Sequence, residues 1–312
     1  MPRRGFLSPA KRHKYQLRQA AQLRRVWETP QKFAPQIRAR YRATHKNKPT
    51  TIMNNSPYQA ALAAILPRQT TNIARHTLAS GETVWVRKAG KSIPQWRYTL
   101  IGYFAAIFHL NALKPVPNPG GRAVIATEAG RLQTLEAHGI HVPHLLARSA
   151  DGIMFTHLGE HTLLERIEHE ADDLARWQQG LDAIRAVHEH GQYLSEPFAR
   201  NIIACSDGST GFIDFEEDPG QYMSFTACES RDYLCYLQST AIILKQRGHL
   251  DAAVRLWHAH TRTLSPAVVH DIQAAVRPLL WMRRLHHPRW GKDPLRLAAL
   301  AELIHLEHRT YA

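Results

Sequence analysis

Four polar residues, Lys88, Glu128, Asn201 and Asp214, carry the chemistry that this sequence can be read for. Asn201 precedes a hairpin signal, Ile202–Cys205, a Ser-Asp-Gly-Ser-Thr turn and Gly211–Phe215, whose second arm delivers Asp214 back toward Asn201. An amide oxygen and a carboxylate near one point are hard donors of the kind Mg²⁺ takes when substrate phosphates complete its shell. Glu128 sits in a segment, 126–138, with Leu132 and Leu135 at i+4 and i+7, which places it on the apolar stripe of a helix. A carboxylate there needs a cation, because an unpaired buried charge is costly. Lys88, at the end of the alternating run Glu82–Lys88, is the candidate partner. Each residue also has a plain reading: a solvated strand-end lysine, an acid favoured by the helix dipole, two ordinary turn residues. Their joint occurrence in this order is harder to dismiss.

The elements that must position them follow from periodicity. In the run 82–88, Val84, Val86 and Lys88 share one face and Trp85 and Arg87 the other. An apolar segment, 98–113, reads as an amphipathic helix lying on a membrane or, since its apolar residues cover most of the circumference, as a helix packed on this sheet. The helix at 126–138 is stopped by Gly139. His144–Arg148 and Ile153–His157 flank Asp151-Gly152, a two-residue hairpin signal. Leu174, Trp177, Leu181, Ile184 and Val187 then mark a helix that Gly191 ends. The remainder reads as helices, with Ser265-Pro266 and Asp293-Pro294 as cap-plus-proline starts. Strands early and helices late predict an α+β fold in two lobes.

Composition bounds the rest. Of the formal charge of +14, residues 1–50 hold fourteen bases and one acid, so the remaining body carries only about +1. The high pI belongs to a tail that suits anionic lipid or nucleic acid, or lies upstream of a true start at Met53, and nothing in the body argues for nucleic acid. Three cysteines form no CxxC pair, there is no signal-peptide pattern, and 98–113 falls short of a spanning helix, so the chain reads as cytoplasmic. Cys205 reads as an inert core thiol. His188, His190 and the set His138, His141, His144 read as surface histidines rather than zinc ligands. Glu216, Glu217 and Asp218 read as an acidic turn, Glu216 being the best further ligand among them.

Ordered in this way, the sequence resembles the protein-kinase-like superfamily, and within it the bacterial lipopolysaccharide-core sugar kinases (Kdo and heptose kinases). Glu128 through His-Gly-Ile-His-Val-Pro143 resembles their αC helix and the entry to the next strand. Val187-His-Glu-His-Gly191 is similar to the end of the helix before the catalytic loop, and Ser195–Asn201 to that loop. Ile213-Asp214-Phe215-Glu216 resembles the metal-binding motif, and Arg231-Asp232-Tyr-Leu the helix that follows. The resemblance covers about residues 75–245. It implies a two-lobed fold, an antiparallel-sheet N-lobe (53–158) and a mainly helical C-lobe (159–312), behind the basic tail 1–52. It also implies an ATP- and Mg²⁺-dependent phosphotransferase acting on a hydroxyl acceptor such as a lipopolysaccharide-type sugar. Lys88 would hold the α/β-phosphates and pair with Glu128; Asn201 and Asp214 would bind Mg²⁺. Glu196 would accept the proton of the attacking hydroxyl, and Thr156, His157 and Leu158, within 156–160, would meet adenine.

The departures are specific. Glu196 stands where an Asp is usual, Leu194 where a His is usual, and no glycine-rich loop precedes Lys88 beyond Ala79-Ser80-Gly81. Thirty-nine residues separate Lys88 from Glu128, and Lys91 is a substitute if the strand register differs. Two alternatives follow: a catalytically inactive pseudokinase that binds nucleotide or a partner, and a protein serine/threonine kinase. A lipid-linked acceptor would bring the chain to the inner face of the cytoplasmic membrane.

Overall fold

The computed structural model describes residues 56–90, 116, 120–171 and 173–311. The basic tail, Lys91 and the apolar segment 98–113 lie outside them. The chain divides into two units, Met1–Met53, also outside, and Asn54–Ala312.

The first described element is a helix, α1 (Pro57–Ile65), with proline at its first position. Strands β1 (Ile73–Thr77) and β2 (Thr83–Lys88) form an antiparallel pair. Helix α2 (Gly121–Ala137) precedes β3 (Leu145–Arg148) and β4 (Gly152–Thr156), and the four strands form one antiparallel sheet in the order β1-β2-β4-β3. Alternation sorts the residues of β2 onto two faces. Val84 and Val86 are buried with Met154, Ala147 and Leu62 of α1. On the opposite face, Ile153 and Phe155 join Ile125, Ala129, Leu132 and Leu135 of α2 in the main core, and Trp85 packs against it.

The first hairpin departs from the expected two-residue turn. Ser149–Asp151 form the loop, closed by Ser149 N donating to Gly152 O at 2.8 Å, and Gly152 already pairs with Lys88 in the ladder. A Cβ at Gly152 would lie 2.6 Å from Arg87 O, so the glycine serves a close strand approach.

A second, three-stranded sheet consists of β5 (His161–Thr162), β6 (Ile202–Ala204) and β7 (Thr210–Phe212). Beyond it, α3 (Leu163–His169) packs on β5 and β6, and α4 (Asp173–Glu189), α6 (Leu250–Thr261), α7 (Pro266–Val276) and α8 (Lys292–Tyr311) all pack on α5 (Phe225–Gln246). The stripe Trp177, Leu181, Ile184 and Val187 of α4 is fully buried, and Gly139 and Gly191 take positive φ just past α2 and α4 as a helix stop requires. Trp177 Nε1 donates to Thr240 Oγ1 (2.9 Å) and Tyr236 OH to Trp177 O (2.7 Å), binding α4 to α5. Ser265 caps α7 through the Val268 amide as expected. Asp293 instead lies inside the first turn of α8, which starts at Lys292, and is not its cap. The molecule is thus mixed α+β with antiparallel sheets and many helices. Among the described residues, no helix is long and apolar enough to cross a membrane.

Candidate functional site

The alternation that defines β2 also decides which of its cations reaches Glu128. Lys88 follows Val84 and Val86, and its Nζ donates to Gln69 O at 3.1 Å. The expected Lys88–Glu128 pair is not formed. Arg87, on the other face, lies with its Nε 2.7 Å from Glu128 Oε2, and it also pairs with Asp214 (3.4 Å) and Glu216. The Arg87–Glu128 contact is an ion pair whose N–H is not aligned on the oxygen, so neither of these two atoms has a hydrogen bond. With only 2% of its side chain exposed, Glu128 has its pKa pushed up to about 7. Burial is the largest cause; Arg87 opposes it and the Asp214 charge reinforces it.

Asn201 ends a 3₁₀ turn (Ala199–Asn201) that leads directly into β6. Pairing of Ile202 with Phe212, with Ile213 N donating to Asn201 O at 3.0 Å, draws the two hairpin ends together. Asn201 Nδ2 donates to Glu196 O (2.9 Å) and Asp214 Oδ2 (3.3 Å), so its amide oxygen is the end not used by these bonds. Asp214 has φ of 73°, unique among the described non-glycine residues. Aspartate tolerates this left-handed backbone better than most side chains, and such conformations persist where surrounding structure holds them.

Arg87, Glu128, Asn201, Asp214 and Glu216 line one cavity of about 360 Å³. Its walls are apolar, from Ile73, Trp85, Leu132, Phe155, Ile203 and Ile213, and one edge is the segment 156–159. There Trp85 Nε1 donates to His157 Nδ1 at 3.0 Å, and His157 Nε2 meets Glu160 at 3.2 Å. An indole N–H can only donate, so the imidazole proton resides on Nε2. Among the described residues the amides of His157 and Leu158 take no part in backbone hydrogen bonds. Thr156, His157, Leu158, Glu128, Asn201 and Asp214 are therefore brought together, while Lys88 and Glu196 are not among the lining residues.

Glu196 pairs with Arg231 (3.6 Å), which also holds Glu217 (3.3 Å). Burial raises the pKa of Glu196 despite Arg231, with Asp214 adding to the rise. Glu217 is pushed up to about 7, first by burial and then by Glu196, against the pull of Arg231. Behind this loop, the wholly buried Asp232 accepts from Leu194 N (2.8 Å) and pairs with His188 Nε2 (2.9 Å). His188 is thus a buried partner of α5 and not a surface histidine; His138, His141, His144 and His190 are exposed. Cys205 is half-buried rather than a core thiol.

Residues absent from the expected set are Arg87, Trp85, Arg231 and the buried Asp232–His188 pair. Arg87 was signalled by its place opposite Val84 and Val86, and Asp232 by its place in the Arg-Asp motif. Glu216 belongs to the cavity rather than to a solvated turn. Among the described residues, no group of three or more His, Cys, Asp or Glu side chains could hold a metal ion. The carboxylate and amide side chains that line the cavity are Glu128, Asn201, Asp214 and Glu216, and Glu128 is the one held by Arg87 Nε. No protein-family model and no curated protein matches this chain.

Proposed function

We propose that the chain is an ATP- and Mg²⁺-dependent phosphotransferase of the two-lobed kinase-like type, transferring the γ-phosphoryl group to a hydroxyl acceptor. The observation that carries this reading is a single cavity holding the Arg87–Glu128 ion pair, the adjoining Asn201 and Asp214 oxygens, and the 156–159 edge. The apolar walls suit a planar base, and the amides of His157 and Leu158, which take no part in backbone hydrogen bonds among the described residues, suit its polar rim. Arg87 replaces Lys88 as the phosphate-facing cation, and its fixed fork of donors matches phosphate oxygens. Asn201 and Asp214 fit Mg²⁺, which needs only one or two protein oxygens when water and phosphates supply the rest. Bound there, the ion would neutralise charge on the phosphates.

In the transfer, the acceptor oxygen forms a bond to the γ-phosphorus as the bond to the β-phosphate oxygen breaks, with nucleoside diphosphate as leaving group. In this reading the hydroxyl proton would pass to Glu196, which lies outside the cavity lining but whose backbone carbonyl accepts from Asn201 Nδ2, so the acceptor hydroxyl would approach from that side. A lipopolysaccharide-type sugar fits the resemblance, and a cytoplasmic chain working at the inner membrane face fits such an acceptor. A second reading, nucleotide binding without transfer, draws on the Arg231–Glu196 pair, which engages the proton acceptor in this state.

The experiment is γ-labelled ATP and Mg²⁺ with the full chain on a fractionated cell extract, beside Asp214→Ala and Glu196→Gln. Label entering one fraction with wild type alone supports transfer and names the acceptor class. ATP binding without transfer moves the assignment to the second reading. Transfer that survives Asp214→Ala removes the metal role.

A further inference from the structure

The body carries almost no net charge, yet one strip of it is strongly basic. Between Arg277 and Asp293 there are five basic residues and one acid, and that acid, Asp293, pairs with Arg296 at 3.2 Å. The strip runs through two 3₁₀ segments, Arg277–Arg284 and Pro288–Trp290, because Pro278 and Pro288 prevent a continuous helix from α7 into α8. Both segments pack on α8. Met282 is buried and Leu280 rests against the core, so the strip is anchored from beneath. Trp281, between them, is 62% exposed, and Trp290 is 46% exposed. Every residue from His286 to Asp293 is exposed, which makes this a protruding edge rather than a groove. Arg277, Arg284, Arg289 and Lys292 are exposed, and among the described residues none of them pairs with a carboxylate. The Arg289 guanidinium lies 5.0 Å from the Trp290 ring centre.

Tryptophan beside unpaired arginine and lysine on a protrusion has a particular physical fit. An indole has an apolar body and a polar N–H, and it gains most at the headgroup level of a bilayer. Long basic side chains lay their stems against apolar surface and hold their charge at lipid phosphates. A nucleic-acid strand, by contrast, is tracked by a positively charged groove; the two indoles could stack on bases, but this edge offers no groove to hold the strand.

We propose that the strip Arg277–Asp293 docks the protein on an anionic lipid bilayer, with Trp281 and Trp290 entering the headgroup layer and Arg277, Arg284, Arg289 and Lys292 on lipid phosphates. The inference does not depend on the phosphotransferase reading. It assigns to the folded body a contact that the basic tail could otherwise be thought to make alone.

The test uses the full chain with phosphatidylcholine vesicles, with and without phosphatidylserine, and with lipids brominated near the headgroup. Wild type binds the anionic vesicles, and brominated lipid quenches its fluorescence. Trp281→Phe/Trp290→Phe loses that quenching, although the tail retains Trp27. Replacing Arg284 and Lys292 by Gln weakens binding about 25-fold, about fivefold for each basic residue near such a surface. These positions are exposed, so an unchanged melting midpoint verifies the fold of each variant. The proposal is overturned if no vesicle binding occurs, or if quenching and affinity are unchanged in the variants, since the tail would then carry the contact. It is equally overturned if the strip substitutions abolish binding to polyuridine while leaving vesicle binding intact.

Discussion

Replacing Arg87 by Met should damage the protein far more than replacing its neighbour Lys88, although the two cations are adjacent in sequence. The Arg87 and Glu128 side chains are 11% and 2% exposed. Removing one member of such a pair leaves an uncompensated buried charge, at a cost of about 3–5 kcal/mol. In a body of this size each kcal/mol lowers the melting midpoint by about 2–4 °C, so the loss is on the order of 10 °C. Lys88→Met removes one half-buried bond, to Gln69 O, and costs about 1 kcal/mol. Arg87→Met/Glu128→Leu should recover part of the single-variant loss, because the stranded charge goes with its partner. Recovery is incomplete, since Asp214 and Glu216 also lose their contact with Arg87.

The pH dependence of that loss has a fixed sign. The pKa of Glu128 is about 7 with Arg87 in place and must rise further without it. A carboxyl whose folded pKa is raised contributes stability below its ordinary range and loses it as pH rises through the folded value. Arg87→Met is therefore less destabilised at pH 6, where Glu128 takes a proton, than at pH 8. Urea unfolding of the four proteins at both pH values measures all of this. Equal losses for Arg87→Met and Lys88→Met, or no recovery in the double variant, would refute the reasoning.

Glu217, likewise raised to about 7, should make the wild type lose stability between about pH 5 and 8. Glu217→Gln removes its share, so the wild-type and variant urea midpoints should diverge across that window; parallel curves would contradict the assignment. Tyr193 joins three segments of the site: its hydroxyl donates to Asp218, its carbonyl accepts from Arg131 Nη2 (2.6 Å), and Arg131 lies 4.2 Å over its ring. Tyr193→Phe removes only the hydroxyl bond, at about 1–2 kcal/mol, whereas Tyr193→Ala also strips the stacked guanidinium and should cost more in thermal melting.

The sequence makes some of this site plain and conceals the rest for identifiable reasons. Alternation in β2 separates Lys88 from Arg87 correctly, but it cannot say which face α2 covers, because both faces carry apolar residues. The deciding element is α1, whose Leu62 takes the Val84 and Val86 face and leaves Arg87 to Glu128. The Asn201–Asp214 approach is legible because a short hairpin with a Ser-Asp-Gly turn has few ways to close. The left-handed backbone of Asp214 is not, since it depends on contacts around the residue. His188 looks like a solvated helix end until α5 covers it, and Arg231 reaches Glu196 and Glu217 only through tertiary packing. The Trp281–Trp290 strip is hidden in a stretch that periodicity reads as helix.

Equilibrium binding of ATP with and without Mg²⁺, followed by the fluorescence of Trp85 in the cavity wall, tests the central claim most directly. Binding should be saturable and strengthened by Mg²⁺, weakened at least tenfold in Arg87→Met and unchanged in Lys88→Met, with the Mg²⁺ effect lost in Asp214→Ala. Absence of binding, or binding that depends on Lys88 and not on Arg87, would contradict that claim.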